Sequence, residues 1–229
     1  RSSLVGSEMF IRDRDAAALT LLALHLRRAG REHEAIPFAR DAVRLAPRWS
    51  VPKALLGMAC QAVGDHGEAV GPLEASLRID EDQPEVWLAF GVSLAELRRF
   101  EEAANVLETA AFHVPDRGTA WGRLGQAYSE TGRHREAMPV FERAVELGFA
   151  PSGLWADMGR SAAELRDIRT LGRAYRKLRG DDPTGAEVLR RKLVELQEES
   201  RRRAQPGAGG DLHPGVQPTE PTRDDRRAM

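Results

Sequence analysis

Residues 121–148 read "WGRLGQAYSETGRHREAMPVFERAVELG", and the spacing of the Trp, Gly, Tyr, Ala and Phe in this stretch decides the fold. Trp121, Leu124, Gly125 and Tyr128 recur every three to four residues, as on one face of an α-helix. A second such face follows Gly132, in Ala137, Val140, Phe141, Ala144 and Val145. The pattern predicts two amphipathic helices joined by a tight glycine turn. A hairpin this short cannot bury both apolar stripes by itself, so it needs neighbours of the same kind.

The sequence supplies them at a fixed offset of 34 residues, with units starting at Ala16, Ser50, Pro84, Gly118 and Ser152. The fourth place of the unit reads Leu19, Lys53, Trp87, Trp121, Trp155, and the eighth reads Ala23, Gly57, Gly91, Gly125, Gly159. The twentieth reads Ala35, Ala69, Ala103, Ala137, Leu171, and the twenty-fourth reads Ala39, Leu73, Leu107, Phe141, Tyr175. Small residues at the eighth and twentieth places let two helices approach closely. Large ones at the fourth, seventh, eleventh and twenty-fourth fill the space that remains.

With its period of 34 and its order of Trp, Leu-Gly, Tyr, Ala, Phe and Ala, the chain resembles the tetratricopeptide repeat family. The resemblance implies an all-α fold: a right-handed superhelical solenoid of five helical hairpins (16–49, 50–83, 84–117, 118–151 and 152–185) with a C-terminal capping helix. Departures from the pattern locate weak points. Lys53 stands where Trp is usual, which predicts a weaker second junction helped by Trp49. Arg98 and Arg166 replace the turn glycine, at a cost if that position has positive φ. In the last unit Ala162 is small while Leu171 and Leu178 are large, so this unit is expected to pack differently.

Residues 1–15 fall outside the repeat register and form an N-terminal extension. Residues 186–203 continue the apolar spacing at Leu189, Leu193 and Leu196 and close the array as a cap. From Ala204 to Met229 the chain holds 4 Gly and 4 Pro in 26 residues, which predicts a disordered tail. With 229 residues, 41% hydrophobic and 30% charged, the whole has enough apolar material for a sizeable core.

Composition excludes several functions. No run of about 18 apolar residues is present, so no direct membrane insertion is expected. No signal peptide opens the chain, and the expected location is the cytoplasm, or the periplasm if an upstream signal was removed. The net charge of −1 argues against nucleic acid as a partner. A strong bias to Arg, 31 against 3 Lys, points to a GC-rich, bacterial coding sequence. The single cysteine, Cys60, rules out an internal disulfide and reads as a small core residue at the eleventh place. His66 and His134 share the seventeenth place and read as filling the hairpin turn. No phosphate-binding loop, metalloprotease helix, nucleophile elbow or calcium loop occurs, so no catalytic residue, cofactor or metal is assigned.

In proteins of the resembled family the first helix of each hairpin lines the concave face. Carried onto this chain, that assigns a peptide-binding groove to Leu24, Arg28, Met58, Leu88, Val92, Glu96, Gln126, Glu130, Arg160 and Glu164. The groove changes from apolar to polar along its length. Glu96, Glu130 and Glu164 read either as a ligand-binding row or as a solvated one, the latter partly neutralised by Arg160 one turn before Glu164. The Lys, Arg and Asn clamp that some members use for a C-terminal carboxylate is not expected here, because the one Asn, Asn105, falls on a second helix.

The resemblance therefore implies a non-enzymatic scaffold or adaptor that binds a protein or peptide carrying apolar anchors and basic residues. The alternative is the interaction module of a larger enzyme, or of a secretion or assembly machine, whose other domain lies outside this chain. Net charges by unit of +3, −4, −3, 0 and +2 set basic ends around an acidic middle, which admits head-to-tail self-association.

Overall fold

In the computed structural model, residues 2–204 are described, with side chains from Asp13 onward. They form eleven α-helices and no strand: α1 (Ser2–Arg28), α2 (Glu32–Leu45), α3 (Ser50–Ala62), α4 (His66–Leu77), α5 (Pro84–Glu96), α6 (Phe100–His113), α7 (Gly118–Glu130), α8 (His134–Glu146), α9 (Ser152–Glu164), α10 (Ile168–Leu178) and α11 (Pro183–Ala204). Residues 2–15, set apart in the sequence as an extension, are continuous with α1. The tail expected from Ala204 lies, apart from Ala204 itself, outside the described residues.

Each hairpin turns in the same way. The amide at the sixteenth place donates to the carbonyl at the eleventh: Arg31 to Leu26, Asp65 to Cys60, Arg99 to Leu94, Arg133 to Tyr128 and Asp167 to Ala162, at 2.8–2.9 Å. This six-to-one bond requires a left-handed residue just before it. Gly30, Gly64 and Gly132 supply it with φ of 71, 85 and 76°. Arg98 and Arg166 adopt the same conformation at φ of 60 and 59°, so the sequence-derived cost is real, about 1 kcal/mol at each. Arg166 offsets part of it by pairing with Glu199 on α11.

Second helices start in two ways. The carboxylates of Asp65 and Asp167 accept from the amides of Glu68 and Thr170, both at 3.0 Å, as helix N-caps. At the equivalent place Arg31, Arg99 and Arg133 carry no acceptor. Each instead clasps the glutamate three residues on (Glu34, Glu102, Glu136) with two parallel hydrogen bonds.

Close packing within the hairpins rests on the eighth-place glycines. A Cβ built on Gly57, Gly91 or Gly125 would stand 2.5–2.6 Å from Leu73, Leu107 or Phe141, the twenty-fourth-place residue of the same hairpin. Gly159 differs, because the side chain that fills its notch is Leu189 of α11, at 2.4 Å. The last hairpin is thus completed by the cap, while Tyr175 stays half-exposed.

At the second junction Lys53 makes a bond of its own in place of Trp. Trp87 and Trp121 each donate an indole N–H to the carbonyl six residues earlier, Glu81 at 2.8 Å and Pro115 at 2.9 Å. Lys53 makes the same bond with its ammonium, to the carbonyl of Pro47. Trp49, the residue expected to help, is 38% exposed. Lys53 therefore replaces the donor that Trp provides elsewhere, though not its ring.

Consecutive first helices touch one another, α1 to α3, α3 to α5, α5 to α7 and α7 to α9, and α11 continues the series against α9. Second helices touch only the first helices on either side of them. The array consequently curves with its first helices on the inside, as a solenoid whose concave wall is continuous.

Gly125→Ala should lower stability by about 1–3 kcal/mol, because Phe141 is fully buried and its ring must be displaced. A urea melt checks this, with Gly71→Ala as the control where a Cβ meets nothing. Removing the cap should cost more. Leu189 and Leu196 are buried and worth about 1.5–3 kcal/mol each, so a chain ended at Gly185 is expected to melt about 10 °C below one ended at Ala204.

Candidate functional site

Of the residues assigned to the groove, the apolar ones come first along the chain. Leu24 on α1, Met58 on α3, and Leu88 and Val92 on α5 are all half-buried, so each keeps part of an apolar side chain in solvent. Arg28 is exposed at the α1 end. Beyond Val92 the assigned residues become polar, with Glu96 closing α5, Gln126 and Glu130 on α7, and Arg160 and Glu164 on α9. Asn105 lies exposed on α6 and so has no access to this wall.

The glutamates do not form a uniform row. Glu96 pairs with Arg123 of α7 at 3.2 Å, and the same guanidinium donates to Gln126 Oε1 at 3.1 Å. Glu130 pairs with Arg160 of α9, which also holds Asp157 at 2.9 Å. Arg160 was expected to neutralise Glu164 one turn later on the same helix. It turns instead to two carboxylates that are shielded from water, Glu130 at 22% and Asp157 at 15% side-chain exposure, where the attraction is less screened. Glu164 is left exposed beside the turn Gly132–Glu136. Two of the three glutamates thus tie consecutive first helices together, each such half-exposed pair worth about 0–1 kcal/mol.

The structure adds two residues that the sequence reading passed over. Asp157 and Arg123 both occupy the sixth place, and with Gly122, Gln126, Phe149, Pro151, Gly153 and Leu154 they line a depression of about 210 Å³ between α7 and α9. The signal was present in the repeat alignment, where the sixth place reads Leu21, Leu55, Ala89, Arg123, Asp157 and so turns from apolar to charged. Burial pushes the Asp157 carboxyl up to about 6 and Glu130 adds to the rise, against the opposing pull of Arg160 and Arg123.

Other polar groups are structural. His134 Nδ1 lies 3.3 Å from Ser161 Oγ, which donates to Ser129 Oγ at 2.9 Å, so His134 reaches across the seam to the next hairpin rather than only filling its own turn. Cys60 is buried, and burial raises its thiol above the ordinary range. Among the described residues no group of three His, Cys, Asp or Glu stands close enough to hold a metal ion. None of the described helices is long and apolar enough to cross a membrane.

Residues 88–153 match a family profile described as tetratricopeptide repeat. Among solved structures the chain is similar to the PilF protein of Pseudomonas aeruginosa, with 21% identity and a TM-score of 0.62 over 84% of this chain and 89% of that one. It is similar to MamA from Desulfovibrio magneticus RS-1, with 20% identity and a TM-score of 0.58 over 81% and 96%. YrrB, a tetratricopeptide repeat protein with an unusual peptide-binding site, aligns with 18% identity and a TM-score of 0.60 over 82% and 89%. No curated protein matches in sequence.

The raised carboxyl of Asp157 makes a stability prediction with a definite sign. The folded chain binds this proton more tightly than the unfolded chain, so the contribution is full below about pH 4 and is lost as pH rises through about 6. Asp157→Asn, free of that loss, should exceed the natural chain in stability by about 1–3 kcal/mol at pH 7, and the gap should close towards pH 4. Urea midpoints of both chains at the two pH values measure it.

Proposed function

We propose that the chain, whose residues 88–153 match the tetratricopeptide repeat profile and whose fold is similar to that of PilF and YrrB, is an interaction scaffold that holds a segment of a partner protein or peptide along its concave face. The observation that carries this reading is the unbroken inner wall of first helices, and the half-buried Leu24, Met58, Leu88 and Val92 on those helices support it. Leu24, Met58 and Leu88 pack against the core on one side, and Val92 follows Leu88 by one helical turn, so each has a covered and an uncovered side. A bound segment would complete their burial.

In this mechanism a few apolar side chains of the ligand seat against Met58, Leu88 and Val92 and provide most of the affinity. Charged and polar groups then fix register, with Glu96, Gln126, Glu130, Arg160 and Glu164 along one half and Arg28 at the other end. The wall is preformed, so little ordering of the scaffold opposes binding. The likeness to YrrB supports the use of such a solenoid for peptides, and the reading assigns no reaction to this chain.

Peptides selected from a random display library against the natural chain test the reading. They should be rich in apolar residues with Arg or Lys to one side, and Met58→Asp should weaken them at least about tenfold, equivalent to ~1.4 kcal/mol. Glu164→Lys should weaken the basic ones about two- to fivefold at low salt and less at high salt. Selected peptides that bind all three chains equally would move the site off the concave face.

A further inference from the structure

The depression between α7 and α9 is built differently from the rest of the concave wall. At Gly122 the helix carries no Cβ, and one placed there would stand 2.4 Å from the Phe149 ring. That absence admits Phe149, from the turn between α8 and α9, against α7. Phe149, Leu154 and Pro151 make an apolar lining, and Asp157, Arg123 and Gln126 make the polar side. At Gly153 a Cβ would meet nothing within 4 Å, so this side is low and open.

Its volume of about 210 Å³ is below the roughly 300–1,000 Å³ of sites that enclose a small-molecule ligand. A single long side chain fits better. The charges around it leave a surplus: Glu96, Glu130 and Asp157 are three carboxylates, and Arg123 and Arg160 are the two guanidiniums that pair with them. Among the described residues Asp157 is the only carboxylate that lines the depression, and it lines it next to apolar surface. An apolar trough with a partly shielded anion in its wall suits a methylene stem that ends in a cation.

We propose that this depression is a specificity subsite that receives one arginine or lysine side chain of the bound segment, with Asp157 as counter-ion and Phe149 and Leu154 packed on its stem. The assignment rests on the concave-face reading and deepens it, by fixing where along the groove the basic residue of the ligand lies. An entering cation supplies the missing positive charge to a cluster that already holds its two guanidiniums in place. It also discriminates, because an uncharged isostere leaves the three carboxylates sharing two guanidiniums, Arg160 being divided between Asp157 and Glu130.

Binding at this subsite depends on pH. The charged groups acting on Asp157 are Arg160 on its own helix and Glu130 and Arg123 on α7, and among the described residues α8, α10 and α11, also packed on α9, add none. With these neighbours the carboxyl titrates at about 6, so the anion that the ligand needs is present at pH 7.5 and mostly protonated at pH 5.

The test needs no natural partner. Blocked single residues, Nα-acetyl-arginine methylamide and its lysine, citrulline and norleucine counterparts, are titrated into the full chain, and the amide resonances of Gly122, Gln126 and Gly153 are followed by NMR. At pH 7.5 the arginine and lysine probes should give saturable shifts in the millimolar range, with citrulline and norleucine at least about fivefold weaker. At pH 5 the cationic probes should weaken about five- to tenfold. Asp157→Asn should abolish both the preference and the pH dependence, and Gly153→Leu, which fills the open side without touching the core, should block all four probes. Equal shifts from arginine and citrulline, shifts that survive Asp157→Asn, or no saturable shift from any probe would each overturn the subsite. If the probes fail while selected peptides still depend on Met58, the subsite is wrong and the groove reading stands; if both fail, the concave face itself is not the binding surface.

Discussion

A missing Cβ at the eighth place of every repeat after the first, where Ala23 stands, is the constraint on which this structure depends. Where Gly57, Gly91 and Gly125 meet Leu73, Leu107 and Phe141, any larger residue would push the two helices of the hairpin apart. The separation of the helices within a hairpin sets how much of each second helix remains to meet the next first helix. That contact in turn sets the angle from one repeat to the next. A fixed notch, repeated at a fixed interval, thereby converts a local packing rule into a superhelix with a continuous inner wall.

The ends of the array show what the rule costs when neighbours run out. In the last hairpin Tyr175 does not fill the notch at Gly159, and Leu189 of α11 enters from outside the repeat. The cap is therefore part of the packing of α9 and α10 and does more than shield them. Arg166 illustrates the same economy. It holds an unfavourable left-handed backbone in the turn, while its side chain crosses to Glu199 and ties the cap to the hairpin.

Much of this was legible in the sequence because it is periodic. The interval of 34, the glycines at the eighth place and the arginines in turn positions announced the hairpins, their close approach and the strained turns. What the sequence concealed depends on side chains long enough to choose among partners. Arg160 has Glu164 one turn ahead, yet it pairs with Glu130 and Asp157, a choice decided by shielding that only the folded seam creates. Lys53 reads as a defect against a column of Trp, and only the geometry reveals that its ammonium reaches the same carbonyl position. Asp157 was visible as a change of type in the sixth-place column, but its depression requires Phe149, which lies outside that column in the turn between hairpins.

The separation of the second helices from one another has a mechanical meaning. Along the inner side, consecutive helices are in contact and resist compression; along the outer side there is no contact between α2, α4, α6, α8 and α10 to lose or gain. Bending the array therefore deforms it like a spring with a stiff inner edge, in which curvature is the soft coordinate and length along the wall is the hard one. The spacing between successive side chains along the inner wall is held, while the radius of the wall can relax. A segment held along this wall, as proposed, would be measured by its length and accommodated in its girth.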